Sequence, residues 1–184
     1  THSDSSAASD VYKRQDREGN IGWQSVGIAP IRNTHSGLVP VMGDGNYEWE
    51  GYLPIIEKPN IFNPENEFFA TANQNVTPSS YDKWNAIGFS WSDPYRGNRV
   101  NQVLEKGSNL TMDDMISLQV DYLSIPSIQI IEMSNNLELT EPYKSYLQKL
   151  KSWNNKLEKN SSQALVYVNW ERDCLLYTSP SPRD

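Results

Sequence analysis

The spacing of apolar positions changes near residue 110. Upstream, Ile21-Gly22-Trp23-Gln24-Ser25-Val26-Gly27 reads as a short strand, with glycines where something large packs close. Gly19-Asn20 before it is a turn dipeptide of the kind that joins hairpin strands. Residues 33–67 have no regular period. Gly43, Gly45, Gly51, Pro40, Pro54, Pro59 and Pro64 punctuate them, and Tyr47, Trp49, Tyr52 and Phe62 fill them. This predicts a long ordered loop, an uncommon feature that is usually functional. Residues 67–73 then read as a second short strand, and residues 74–98 are irregular again.

Downstream the period becomes helical. Thr111 is placed to cap a helix, with Asp113 and Asp114 in its first turn. Met112, Met115, Ile116, Gln119 and Leu123 follow at helical spacing until Pro126, which should kink or break that helix. A better helix runs from residue 141 to about 154. Tyr143, Tyr146, Leu147, Leu150 and Trp153 form its apolar stripe and Thr140 is placed to cap it. Asn154-Asn155 can adopt the left-handed conformation that ends it. A last helical segment, residues 161–170, begins with serine caps and carries Ala164, Leu165 and Val168.

Composition narrows the function. The chain has 184 residues, enough for one medium domain. Its net charge of -7 and pI of about 4.9 argue against nucleic acid as the main partner, because phosphate binding needs a basic face. No apolar run reaches the length of about 18 residues that a membrane helix needs. The polar start THSDSSAASD lacks the apolar core of a signal peptide. A single cysteine, Cys174, excludes an internal disulfide, and His2 and His35 are the only histidines. A Ser-His-Asp triad would rest on His35 alone and no metal-ligand spacing appears, so the expected chemistry does without imidazole.

Both ends differ from the middle. DVYKRQ at 10–15 and CLLYTSPSPRD at 174–184 resemble translated sequencing-adapter read-through. Residues 1–15 and 174–184 are therefore set aside as non-native. The rest divides into a strand and loop part, 16–108, and a helical part, 109–173, of one fragment cut on both sides.

The order of motifs in the middle carries a family resemblance. GNIGWQSVGIAPIR, LVPVMGDGNYEWEGYLP, NPENEFFATANQNVTP, FSWSDPYRGNRV and LTMDDMISLQVDYLS follow one another. The series resembles the β chain of the penicillin acylase family, N-terminal-nucleophile amide hydrolases, over nearly all of residues 16–170. The resemblance implies an α+β fold, part of a four-layer αββα architecture, with strands and long loops first and helices after residue 110. It implies a parent that cleaves an N-acyl amide bond, with calcium bound structurally and a periplasmic or secreted location. The nucleophile is the freed N-terminal residue of the mature β chain, whose α-amine is the base, so none of Ser25, Ser36, Ser90 or Ser92 takes that role. The fragment itself is expected to be inactive. Its partners are the small-molecule N-acyl substrate and the α chain and remaining β chain of the same precursor, with no nucleic acid and no membrane.

Two site residues follow from the motifs. Asn73 matches the Asn of Ala-x-x-Asn, whose side-chain NH2 donates to the oxyanion of the tetrahedral intermediate. Arg99 matches the active-site arginine that organises this region, and Arg96 beside it is expected to stabilise the loop. For the calcium ion, the resemblance places most ligands, carboxylates, upstream of this segment, and within it points to a backbone carbonyl near Gly37 and to the side chain of Asn85, where relatives can carry Asp. Read from the residues alone, Asn73 could instead only end a strand, and Arg99 could form a structural ion pair. Trp23, Tyr47, Trp49 and Trp91 are read first as packing and second as a stacking surface. That surface supports the alternative of an aromatic-lined glycan-binding module; a further alternative is a catalytically dead family member. Asp44, Glu48, Glu50 and Glu57 read as a solvated acidic loop.

Overall fold

A computed structural model describes residues 11–88 and 90–178, with side chains over 15–88 and 90–175. Phe89, His2 and most of the two adapter-like ends lie outside the described residues. The chain divides into two compact units between Glu105 and Lys106.

The first unit starts with an antiparallel sheet. β1 (Val11–Gln15) and β2 (Ile21–Ser25) form a hairpin, Gln15 facing Ile21 and Val11 facing Ser25. The turn is the one the Gly-Asn dipeptide predicts. Gly19 takes φ of 86°, and both carboxylate oxygens of Asp16 are used by Asn20, from its backbone N–H at 2.8 Å and its side-chain Nδ2 at 2.7 Å. β1 falls within the end set aside as non-native, and it nevertheless supplies one edge of this sheet. β3 (Asn60–Phe62) supplies the other, with Trp23 facing Ile61.

No strand forms over 67–73. Glu67 and Asn73 both have left-handed backbones, with φ of 60° and 66°, and extended pairing cannot pass through either. The apolar pair Phe68-Phe69 packs instead of pairing. The ring of Phe69 stacks on Trp23 at 5.0 Å, and this contact roofs the central strand. The loop over 33–67 is ordered at its base by a short ladder. Leu53 donates to Ala29 (2.8 Å), Ile31 to Gly51 (2.9 Å) and Glu50 to Ile31 (3.0 Å). Ala29, Leu53 and Ala86 form a small buried cluster under it, flanked by Ile31 and Tyr81. Helices also begin earlier than the sequence predicts, with α1 (Trp84–Ile87) and α2 (Tyr95–Lys106) inside the segment read as irregular. α1 is a single turn, too short to show a period, and the polar composition and glycine of α2 mask its own.

The second unit is helical. α3 (Met112–Gln119) starts at Thr111, whose hydroxyl accepts from Asp114 N–H at 3.2 Å while the Asp114 carboxylate accepts from Thr111 N–H at 2.8 Å. This reciprocal capping box satisfies two amide donors of the first turn. The hydroxyl and then the backbone of Thr111 hold the Asp114 carboxyl below its ordinary value of 3.8. A depressed carboxyl stabilises the fold above its unfolded-state value and stops doing so as pH falls through its lower folded value. The α3 first turn should therefore fray as pH drops below about 3.8, seen as faster amide exchange at Asp114. Thr111→Ala should produce that fraying at neutral pH, at a cost of about 1 kcal/mol.

Pro126 breaks no helix: α3 has already ended at Gln119, and the proline stands at the start of the next helix. α4 (Ile125–Met133) has Pro126 in its first turn, where no amide donor is needed, and Ser124 accepts from Ser127 N–H at 3.2 Å. α5 (Tyr143–Lys151) is shorter than predicted, and Thr140 does not cap it with its hydroxyl. The carboxylate of Glu141 does that work, accepting from Ser145 N–H at 3.3 Å and its Oγ at 2.6 Å. Asn155 takes the left-handed conformation after α5, with φ of 58°. α6 (Ser162–Thr178) is capped by Ser161, which accepts from Ala164 N–H at 3.1 Å, and it continues past residue 174 into the end set aside as non-native. Ile131, Leu150, Trp153, Ala164 and Tyr167 are the core.

Candidate active-site loop

Asn73 sits at the crest of a bend and is exposed. Its left-handed backbone turns the chain sharply, and its carbonyl accepts from Ser92 N–H at 3.2 Å. This ties the bend to the segment that leads into α2. The Asn73 side chain is held from the same side: Oδ1 accepts from Arg96 Nη2 at 2.8 Å. Its NH2 group has no hydrogen-bond partner among the described residues. Asn73 thus stands at a bend, not at the end of a buried strand, and what fixes it is a guanidinium 23 residues away in sequence.

Arg96, read from sequence as a loop-stabilising residue, is the arginine on Asn73. Arg99, one turn further along α2, is half-buried and donates from Nη1 to Gln102 at 2.6 Å. The difference is one of position on the helix. The Asn73 bend docks where α2 begins, so the first-turn arginine meets it.

Two neighbours that the sequence reading did not single out complete the loop. The side chain of Gln74 folds back onto its own backbone, accepting from Ala72 N–H at 2.6 Å and donating to Ala70 carbonyl at 3.2 Å. Gln74 in turn presses on α2 at Gly97, where an added methyl group would lie 2.4 Å from its Cδ. Only glycine lets the helix approach so closely. Glycine inside a helix is unfavourable by about 1 kcal/mol against alanine, so Gly97 within Arg96-Gly97-Asn98 was the available signal of a close contact. Gly97→Ala should displace Gln74 and release the Ala72 amide. Hydrogen exchange at Ala72 should speed up, and pairing the change with Gln74→Ala should remove the clash and restore the position of α2.

Gln74 and Asn75 also line a cavity of about 580 Å³ whose walls include Phe68, Phe69, Asn98 and Glu105. Asn73 does not line it. Of the aromatics considered for a stacking surface, Trp23 is buried and is packing. Tyr47 lies edge-on to His35 at 6.1 Å, and Trp91 edge-on to Trp84 at 5.6 Å. Trp49 is exposed beside Tyr52.

Of the two positions suggested for calcium, Asn85 has Asn33 as its side-chain partner and Gly37 has the Arg32 guanidinium as its neighbour. Calcium takes six to eight oxygen ligands, mostly charged ones. Asn85 donates its Nδ2 to Asn33 Oδ1 at 2.6 Å. Arg32 lies across the same turn, donating to the carbonyls of Asn85 (3.3 Å) and Ala86 (3.4 Å). Its guanidinium also packs on Gly37, 2.8 Å from where a methyl group there would stand. A positive group already sits between the two segments. Among the described residues no group of three or more His, Cys, Asp or Glu side chains converges.

Residues 14–179 match the penicillin amidase family. The chain belongs to that family. The match includes residues 14–15 and 174–179, a few positions of each end set aside above. An acyl-homoserine lactone acylase QuiP of Pseudomonas fluorescens (strain Pf0-1) is 27% identical over 164 residues, covering 80% of this chain and 20% of that protein. The penicillin G acylase of Escherichia coli is 29% identical over 147 residues, covering 75% of this chain and 17% of that protein. The solved thermostable penicillin G acylase of Alcaligenes faecalis superposes with a TM-score of 0.63 at 20% identity, over 81% of this chain and 28% of that one. That likeness shows a shared fold for the stretch covered. The chain spans about a fifth of the length of the relatives it matches.

Proposed function

We propose that this chain is a segment of a longer penicillin amidase-family acylase, and that the whole protein cleaves an N-acyl amide bond. Hydrolysis of an amide passes through a tetrahedral intermediate with negative charge on the former carbonyl oxygen. A fixed neutral donor aimed at that oxygen lowers the barrier. Asn73 supplies the donor in this reading. Its carboxamide NH2 cannot lose its proton at working pH, and its oxygen is already engaged. The observation that carries the proposal is this held, half-satisfied carboxamide within a family-matched Ala-x-x-Asn segment. Arg99 is assigned an organising role in the assembled site. The attacking group is the N-terminal residue of the processed β chain, outside this segment, with its α-amine as base; an α-amine titrates near pH 8, suited to that work. The substrates are N-acyl amides of the kind the relatives' names indicate, an acyl-homoserine lactone or a penicillin. We assign the mature protein a periplasmic or secreted location. No helix among the described residues is long and apolar enough to cross a membrane.

Exposed apolar surface supports the reading as a segment. Ile56, Met133, Met112, Phe62 and Ile28 are each more than two-thirds exposed. A groove of about 600 Å³ along α5 and α6 is lined by Leu137, Leu139, Tyr143, Tyr146, Leu147 and Trp170. Such surface is unusual for a free-standing domain and normal for one covered by the rest of its protein.

The test is amine release from N-acyl homoserine lactones and acylated β-lactams. The processed full-length acylase should release amine, and the 184-residue chain by itself should not. Activity in the isolated chain, or a processed full-length protein inert on every N-acyl amide offered, would overturn the assignment.

A further inference from the structure

We propose that the groove between α5 and α6 is the seat of a further helix. That helix is amphipathic with acidic flanks, and it comes from another part of the same precursor. The proposal rests on the reading of this chain as a segment of a longer protein. It concerns how that protein assembles, not its chemistry.

The walls decide what kind of segment fits. Tyr143, Tyr146, Leu147 and Leu150 form one, at helical spacing on α5, and Leu165 and Trp170 stand on the other. Ser134 and Asn169 also border the groove, but their donors are engaged within their own stretch. Ser134 Oγ donates to the Ile130 carbonyl at 2.6 Å and Asn169 Nδ2 to the Leu165 carbonyl at 2.9 Å. A loop or strand laid in such a groove would bury backbone N–H and C=O groups without partners. A helix satisfies its own backbone and presents only side chains, and the furrow between two packed helices accepts the side-chain ridge of a third. The nine residues of α5 span about 14 Å, room for roughly two and a half turns of such a partner. Tyr143 is 64% exposed and Leu165 65% exposed, so the walls lie open along the top. A small-molecule pocket instead encloses most of its guest.

The rims decide its charge. The whole chain has a net charge of -7, yet α5 carries Lys144, Lys149 and Lys151 and no acidic residue. Lys144 and Lys151 stand beside Leu137, Leu139 and Leu147 on one rim. Lys149 lies on the other, its Nζ 5.8 Å from the centre of the Tyr146 ring. None of the three is in an ion pair among the described residues. Glu138 is the one carboxylate beside the first rim. Asp and Glu flanking the apolar stripe of an incoming helix would meet these lysines. Exposed pairs of that kind add little energy but set orientation and register. The same precursor has the length to supply the helix. This chain covers 20% of one matched relative and 17% of another, and the family match over residues 14–179 takes in both walls of the groove. A covalent link also gives the helix a high effective concentration at the groove.

Photo-cross-linking in the full-length processed protein tests this, with Leu165 replaced by p-benzoylphenylalanine and the adduct located by peptide mass spectrometry. The adduct should fall in another stretch of the same precursor, one with apolar residues at helical spacing and Asp or Glu beside them. Leu165→Asp should lower the melting temperature of the full-length protein by about 3 °C or more, because a side chain that stands in water in this segment would be covered there. Lys144→Glu combined with Lys151→Glu should lower it by less, and that loss should shrink as salt is added. The proposal is overturned by an adduct with a second copy, by an adduct with a stretch that has no helical period, or by no adduct at all. It is equally overturned if Leu165→Asp melts with the wild type. If Leu165→Asp does not accumulate, the adduct alone decides. Neither readout needs turnover. A processed protein inert on N-acyl amides would remove the acylase reading and leave the docked helix standing, whereas an active enzyme with an open groove would do the reverse.

Discussion

Asn73→Ala in the full-length processed acylase should lower kcat by about 100- to 1000-fold and leave KM nearly unchanged. The magnitude follows from what the side chain supplies. One preorganised donor to an oxyanion in a water-poor site is worth far more than the same donor in water, because no reorganisation is needed as charge develops. The KM expectation follows from timing: the bond strengthens only when the carbonyl oxygen becomes an anion. The stability of the protein should hardly change. Asn73 is exposed, and its side chain makes a single hydrogen bond among the described residues, with Arg96. Its backbone is the more sensitive part. A left-handed φ of 66° suits asparagine better than alanine, so some stiffness of the bend will be lost. Asn73→Asp controls for this, since aspartate tolerates the same backbone. It replaces the NH2 donor by a carboxylate oxygen and should be at least as damaging to kcat as alanine. Wild-type turnover in either variant would remove Asn73 from the site.

Trp153→Ala should destabilise the helical unit by about 3–5 kcal/mol, a large part of the stability of any small domain. Trp153 is buried in the core with Ile131, Leu150, Ala164 and Tyr167, and its ring packs on Tyr167 at 5.6 Å. It also anchors a corner of the chain. Its indole N–H donates to the Lys156 carbonyl at 3.2 Å. Asn155 beside it accepts at its carbonyl from Ser124 N–H (2.8 Å) and at its side chain from the buried Ser127 hydroxyl (2.9 Å). Removing the indole leaves a cavity and frees the end of α5 from the start of α4. Trp153→Phe keeps most of the apolar volume and loses the N–H, and should cost distinctly less. Urea denaturation followed by helix content would check both. A Trp153→Ala loss below about 1 kcal/mol would mean that the core lies elsewhere.

How legible the fold was depended on the range of each signal. The Gly19-Asn20 turn, the Thr111 cap and the left-handed Asn155 all act within four or five residues. A turn or cap is chosen by the side chain's own hydrogen bonds and by the backbone angles it tolerates, so the sequence alone determines it. Family membership was readable for a similar reason: ordered local motifs survive where overall identity has fallen below a third.

Pairing and contact across the chain belong to the tertiary structure. Residues 67–73 carry a strand's pattern, yet Glu67 and Asn73 turn left-handed, Phe69 stacks on Trp23, and the strand beside β2 comes from residues 60–62. Arg96 and Arg99 are chemically identical and three positions apart. Nothing in the sequence says which one meets a loop 23 residues upstream of the first; that depends on where the loop docks along α2. The same docking gives Gly97 its meaning, because a missing Cβ matters only once Gln74 is brought against it. The sequence by itself determined the family, the Gly19-Asn20 turn, the Thr111 cap and the candidate carboxamide. Only the tertiary structure decided what holds that carboxamide, because the holding group arrives through packing between segments that local rules do not connect.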